Sequence, residues 1–487
     1  MISLLLSIAA LILGYVFYGR FIEKIYKPDP TRKTAAYTKN DGVDYIPMPS
    51  WKVFMIQLLN IAGTGPIFGA ILGAKFGPSC YLWIVLGCIF GGAVHDYISG
   101  MMSVRHDGVG LPWIVGHHLG NVTEKIMIVF SVLMLLLVGA VFVYSPAVIL
   151  GNLTGGTVTA TRIWVFVVLG YYILATVVPI DKIIGKIYPV FAIAIIFMAI
   201  SLFFCLVSKW PSGVPEIWSG MQNRSPESGS IFPCMFISIA CGAVSGFHAT
   251  QSPMMARCLK NEKIGRPVFY GSMITEGIIA LIWATVSSYF FYAGGNVEMD
   301  AVGVSAAPAV VTTVSKYWLG AFGSVLALLG VVAAPITSGD TALRMVRLTV
   351  AEAFKIDQSK ARKRVRVSIP IFVVTAALLW FSIADENGFD KIWRYFGWAN
   401  QTLSCFTFWA LTVYLAIKRK GATYLVTLLP ACFMTSVCGT FILTAKIGFN
   451  LPDATIPYLG IGIFCLCLAQ FTYWYNRKAV KYPDFVR

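Results

Sequence analysis

Leu59-Asn60-Ile61-Ala62-Gly63-Thr64-Gly65-Pro66-Ile67-Phe68-Gly69-Ala70 lies in the middle of an apolar run from about 51 to 74. Two glycines and a proline fall within four residues there. Glycine is a poor helix former, and proline lacks the N–H a helix interior needs. In lipid an interrupted backbone survives only when buried in protein or lining a wet cavity. The stretch therefore reads as a broken membrane helix, the usual position of a transporter's binding site. The alternative is a kink where small residues let two helices cross closely.

The surrounding chain fits a membrane setting. Of its 487 residues, 57% are hydrophobic and 12% are charged. Soluble domains carry about 25% charged residues. The net charge of +16 does not indicate nucleic acid, because the lysines and arginines gather in short loops between apolar runs. The eleven cysteines lie in or beside apolar segments, without zinc-ligand spacing to histidines, and read as small hydrophobes rather than a disulfide framework. The run 2–19 has no basic residue before it and is followed by Arg20, Lys24 and Lys27. That pattern favours a retained first span with its N-terminus outside over a cleaved signal.

Thirteen apolar spans are expected, at about 2–19, 52–74, 81–102, 125–150, 163–180, 187–208, 231–256, 268–293, 318–343, 367–384, 392–417, 422–445 and 456–476. Each is long enough to cross ~30 Å of hydrocarbon. With the N-terminus outside, the inner segments hold 30 of the 38 lysines and arginines and the outer segments 8. That asymmetry sets the C-terminus in the cytoplasm.

Spans 2–6 and 7–11 form two groups of five with opposite orientation. Each group opens on a glycine-interrupted segment, Asn60 to Pro66 in the first and Gly242-Ala-Val-Ser-Gly-Phe-His248 in the second. Each has a long connection after its second span, at about 103–124 and 294–317. Matching interruptions in inverted halves point to a secondary transporter with a five-plus-five inverted repeat. The expected organisation is an extra span and cytoplasmic linker over 1–50, a first repeat over 51–208, a second over 231–418, and two further spans with a tail over 419–487.

Ionisable residues inside spans are costly and usually functional. Counting from the inner ends, Asp96 and His248 lie ~13 Å deep, Glu276 ~15 Å and Ser338 ~9 Å, at 1.5 Å per helical residue. His95 adjoins Asp96. Glu276, His248, His95 and Asp96 are the candidate proton-coupling groups, since a desolvated carboxylate holds its proton and histidine titrates near neutrality. A static hydrogen-bond network is the competing reading. Sodium is the alternative ion, at an oxygen site from Ala62, Thr337 and Ser338. There Pro335 would otherwise only kink its helix and Thr337 bond back to its own turn. Asp340 is one turn from Arg344 and fits a plain ion pair equally well.

For a substrate carboxylate, the freed N–H groups around Gly63, Thr64 and Gly65 and around Ser245 offer a cradle, because no lysine or arginine lies deep in a span. Asn60, Asn400 and Gln401 add donors and acceptors, with bonds to neighbouring backbone the alternative role for Asn400 and Gln401. Tyr144-Ser145-Pro146 opens a further expected break. His117-His118 reads as a solvated pair.

Several of these stretches resemble the carbon starvation protein A (CstA) family. They are Asn60–Gly69, Leu82–Asp96, Phe236–Ala249, Tyr270–Glu276 and Phe396–Gln401. The chain looks like a short form, without the larger C-terminal region of longer members. The resemblance implies an all-α, polytopic membrane protein with a broken-helix (LeuT/APC-like) core. It implies uptake of peptides or pyruvate during carbon starvation, with proton coupling, in a bacterial inner membrane. The expected partners are a small carboxylate-bearing substrate, a proton or sodium ion, and the bilayer, with no cofactor. An uncoupled channel and a starvation sensor that binds without transporting are the alternatives. A nucleotide-driven pump is disfavoured by the lack of a phosphate-binding Gly-x-x-x-x-Gly-Lys motif. No nucleophile or metal motif suggests an enzyme.

Overall fold

The computed structural model describes residues 1–177, 180–210, 212–292, 307–358, 360–384, 388–419 and 421–481. All regular structure among these residues is helical. Among the described residues nine helices are long and apolar enough to cross a membrane, and the bent pair Ser50–Ile61 and Gly65–Ala74 makes ten. The other three expected spans fall on the interrupted stretch 231–256 and within the helices Ala307–Ala353 and Gly388–Lys418, which extend beyond their apolar centres. Most of the long connection expected at 294–317 lies outside the described residues. The connection at 103–124 contains a short helix, Leu111–Leu119.

The first broken helix bends by 46° between Ile61 and Gly65. Ala62 leaves helical geometry at φ −81°, ψ 50°. The Gly63 N–H then closes on the Ile61 carbonyl at 2.9 Å. Pro66 stands in the first turn of the restarted helix, where a missing N–H costs nothing. In the second broken helix the chain leaves helical geometry at Ile239, turns through Gly242 at φ +92°, and restarts as Gly246–Ala256. Gly242 suits this site twice over. Its φ is left-handed, and a Cβ there would lie 2.6 Å from Ala280 Cβ.

The two breaks pack against each other. Gly65, Gly69 and Gly73 share one helix face, and a Cβ on them would fall 2.3 Å from Cys241 Sγ, 3.0 Å from the Ser238 carbonyl and 2.3 Å from Ile239 Cδ1. The opening stretch is thus both a broken helix and a close crossing. The helix Ser79–Arg105 seals the other side, where a Cβ on Gly92 would meet the Ala243 carbonyl at 2.3 Å. From the same helix the Trp83 indole donates to the Ile239 carbonyl, 3.0 Å away, which the break leaves outside the helical ladder.

Two expectations are corrected here. Tyr144-Ser145-Pro146 does not break its helix, which runs unbroken over Asn121–Leu153. Pro146 would orphan the Phe142 carbonyl, but the Tyr172 hydroxyl donates to that oxygen at 2.8 Å. His117 and His118 are not a solvated pair. His117 is exposed and stacks on Trp113, whereas His118 is half-buried with its ring edge-on to Tyr414. Burial, with His117 and His106 nearby, pushes the His118 imidazole down to about 4.

Candidate functional site

The four candidate acid–base residues form one buried chain. His95 Nδ1 lies 2.8 Å from Asp96 Oδ1, and His248 Nδ1 lies 2.8 Å from Asp96 Oδ2. On its far side, His248 Nε2 is 3.5 Å from Glu276 Oε2. All four side chains have no exposed surface. The His248 imidazole therefore bridges two carboxylates on two other helices, with one ring nitrogen toward each. Both ends of the chain are open. Among the described residues His95 Nε2 and Glu276 Oε1 have no hydrogen-bond partner, and the 3.5 Å contact of His248 Nε2 with Glu276 Oε2 is an ion-pair distance rather than a formed hydrogen bond. Buried polar atoms of this kind usually meet water or a ligand.

The fold explains how they meet. His248 sits in the first turn of the restarted helix Gly246–Ala256. Asp96 stands one turn beyond Gly92, where its helix touches the second break. Glu276 is one turn from Ala280, which packs on Gly242. Cys241, in the same break, reads from sequence only as a small hydrophobe. Its Sγ, a His248 nitrogen and a Glu276 oxygen lie within 4.8 Å of one another. These three are the described residues whose donor set could hold a thiophilic divalent cation. The seven-residue spacing from Cys241 to His248 does not signal this, because the break folds the backbone between them.

The residues expected to hold substrate divide into two sets. Asn60 is fully buried, and neither atom of its amide has a partner. The Thr64 hydroxyl is likewise buried and unpartnered, as are both polar atoms of Gln57, one turn before Asn60. A buried polar group without a partner costs about 1–3 kcal/mol. This row of three along the first broken helix is where a polar ligand would recover that cost. Gln57 was not expected from sequence. Its place one turn before Asn60 was the available signal.

Asn400 and Gln401 have protein partners. Asn400 Oδ1 accepts from the Ser245 hydroxyl at 3.1 Å and from the Phe247 N–H at 2.7 Å. Gln401 Nε2 donates to the Phe236 carbonyl at 3.1 Å, and its Oε1 has no partner. The pair clasps the second broken helix on both sides of its break. Asn400 already fills the anion cradle expected at Ser245. It acts as a helix cap supplied by a neighbouring helix. The Gly63 N–H, closed on Ile61, is also not free for a ligand.

At the expected cation site, the Ser338 hydroxyl donates to the Leu59 carbonyl at 2.9 Å and abuts Gly63. The Thr337 hydroxyl lies 2.8 Å from the Ala334 carbonyl and 3.0 Å from that of Ala333, so it bonds back to its own turn. Both oxygens keep lone pairs. The Ala62 N–H is bonded to the Leu58 carbonyl. Asp340 is buried, and its Oδ2 accepts from the Tyr188 hydroxyl at 2.8 Å. Arg344 reaches instead to Asp44, 3.7 Å away, and to the Ala175 carbonyl.

Comparison with known proteins agrees with this architecture. The family model "Carbon starvation protein CstA" matches residues 1–204, 151–318 and 292–441. An uncharacterized membrane protein of Haemophilus influenzae is 44% identical over 332 residues, covering 58% of this chain and 90% of that protein. Peptide transporter CstA of Escherichia coli is 28% identical, over 62% of this chain and 52% of its own length. The pyruvate/proton symporter BtsT of the same organism is 26% identical, over 61% and 51%. The chain thus spans about half the length of these two transporters. Among solved structures, a Na⁺-coupled sialic acid symporter aligns over 96% of this chain and 95% of its own, with TM-score 0.53 and 11% identity. A manganese transporter of Eremococcus coleocola aligns over 90% and 99%, with TM-score 0.56 and 10% identity. At such identities the likeness is one of fold, that of multi-pass membrane transporters. With the family model matching most of its length, the chain is a member of the carbon starvation protein CstA family.

Proposed function

We propose that this protein is a proton-coupled secondary transporter that imports a small carboxylate-bearing nutrient, a peptide or pyruvate, during carbon starvation. The observation that carries the reading is the buried chain His95–Asp96–His248–Glu276, set against the meeting point of two broken helices. His248 between two carboxylates can accept a proton at one ring nitrogen and release one at the other. Its neighbours are then charged or neutral in turn. The substrate sits against the first broken helix, on Asn60, Thr64 and the Gly63–Gly65 turn, with Gln57 alongside. The names of the relatives support the substrate class, and one of them is a proton symporter. The protein lies in the bacterial inner membrane with its N-terminus outside, as the charge asymmetry favours. Two inverted five-helix groups, 51–208 and 231–418, form the moving core.

Sodium coupling is the second reading. It is favoured by Ser338 lying against Gly63 and the Leu59 carbonyl. Proteoliposome uptake separates the readings. Labelled pyruvate and a labelled dipeptide are each offered under an inward pH gradient, an inward sodium gradient, or neither. The expected result is uphill accumulation of one compound under the pH gradient alone. Accumulation under sodium alone would move the coupling to the Ser338 site. Downhill equilibration under every condition would mean a facilitator, and binding without flux a sensor.

A further inference from the structure

At the far end of this core Arg347 is fully buried on the helix Ala307–Ala353. Its Nη1 donates to Gln358 Oε1 at 2.6 Å, while its Nε and Nη2 have no hydrogen-bond partner among the described residues. Those two nitrogens form one edge of the guanidinium, the edge whose parallel N–H bonds grip a carboxylate or phosphate in bidentate fashion. The charged groups that act on Arg347 include Asp44, Asp340, Arg344, Arg364 and Arg257. All three of these arginines are buried, at 1%, 7% and 4% exposure. Beside the four guanidinium groups lie Asp44, 3.7 Å from Arg344, Glu352, 3.0 Å from Arg257 and half-exposed, and the buried Asp340. The most buried member of the cluster, Arg347, keeps an unfilled fork among the described residues. An unpaired buried charge is strongly unfavourable and is normally met by a counter-ion.

The position gives this a use. Arg347 is nine residues along its helix from Ser338, and Arg257 is nine residues from His248. Two elements thus lead from the breaks to this cluster, over ~13 Å of helix each. We propose that Arg347, with Arg257, Arg344 and Arg364 around it, forms a binding site for a small oxyanion, carboxylate or phosphate, at the inner end of the core. Its assignment as the station where an imported carboxylate leaves the broken-helix site rests on the transport reading above. The oxyanion site itself does not.

Binding to the full chain at equilibrium tests this. Purified protein at fixed ionic strength is titrated with inorganic phosphate and with pyruvate, followed by calorimetry. The titrations are run in detergent and in nanodiscs of phosphatidylcholine, with or without phosphatidylglycerol. Saturable binding of either anion, or phosphatidylglycerol-dependent stabilisation, supports the site. The arm that responds identifies the source as free phosphate, substrate carboxylate or lipid headgroup. Arg347→Lys keeps the charge but cannot present the fork, and should bind at least about tenfold more weakly. Gln358→Glu, in the connection after the helix, places a fixed carboxylate against Arg347 and should weaken binding similarly even if the lysine variant does not fold. Arg366→Gln, at an exposed position, should bind as the parent does. No saturable response in any arm, or unchanged affinity in the Arg347 and Gln358 variants, would overturn the proposal. No gradient is involved, so failure of proton coupling leaves this result untouched.

Discussion

At the scale of single residues, the site is a set of polar side chains with unequal degrees of satisfaction. Asn400 is fully engaged at its oxygen, while Asn60, Gln57 and Thr64 are buried with nothing to bond. The distinction carries a prediction. Asn400→Ala strands the Phe247 N–H and leaves the Ser245 hydroxyl only Cys241 Sγ, so it should destabilise the protein by about 1–3 kcal/mol. The check is the thermal midpoint of purified protein. Asn60→Ala has no partner to strand and should leave that midpoint nearly unchanged while weakening substrate binding. An equal loss of stability in both variants would contradict the division. Much of this network was legible in the sequence. Counting residues from the nearest basic loop placed Asp96, His248 and Glu276 at one depth, and the structure joins all three. Ser338 was counted into the same group but turns to the Leu59 carbonyl instead. Depth along a helix is set by its rise, whereas the direction a side chain faces depends on helix rotation, which no loop charge reports. The brace made by Asn400 was illegible for the same reason, because its partners lie some 150 residues away in sequence.

At the scale of elements, two interrupted helices hold each other open. A helix that loses its ladder in the membrane must place its freed groups somewhere. Here Trp83 takes the Ile239 carbonyl, Asn400 the Phe247 N–H and Ser338 the Leu59 carbonyl. The glycine face of 65, 69 and 73 lets the second break come close enough to be braced. Gly65→Ala puts a methyl 2.3 Å from Cys241 Sγ and 2.5 Å from its Cβ, in a contact with no slack. Overpacking of this kind costs about 1–3 kcal/mol. The double variant Gly65→Ala with Cys241→Gly should recover most of the loss, as read by thermal midpoint in the same detergent. Additive losses in the pair would show that the two residues do not press on each other. The positions of both breaks were readable from glycine and proline alone. Their mutual packing was not, because a small-residue stripe names no partner. Pro146 shows the converse error, where a proline that would break an isolated helix is accommodated once a tyrosine from a neighbour serves the orphaned carbonyl.

At the scale of the whole molecule, the architecture places an acid–base chain, a row of unsatisfied polar groups and an arginine cluster along one core. Composition and loop charge identified the membrane setting, and motif resemblance identified the family. Both rest on local sequence and survive without knowledge of packing. What couples the parts is the single imidazole of His248, the link between Asp96 and Glu276. If that link carries the proton, substrate entry and proton entry are one event. The direct measurement is proton influx itself. Proteoliposomes loaded with a pH-sensitive dye receive pyruvate or dipeptide with no gradient imposed, and the internal pH is followed beside labelled uptake. The transported compound should acidify the interior in proportion to its uptake. Glu276→Gln should still bind and equilibrate the compound but no longer acidify. Uptake without acidification by the parent protein, or undiminished acidification by Glu276→Gln, would rule out proton coupling through this chain.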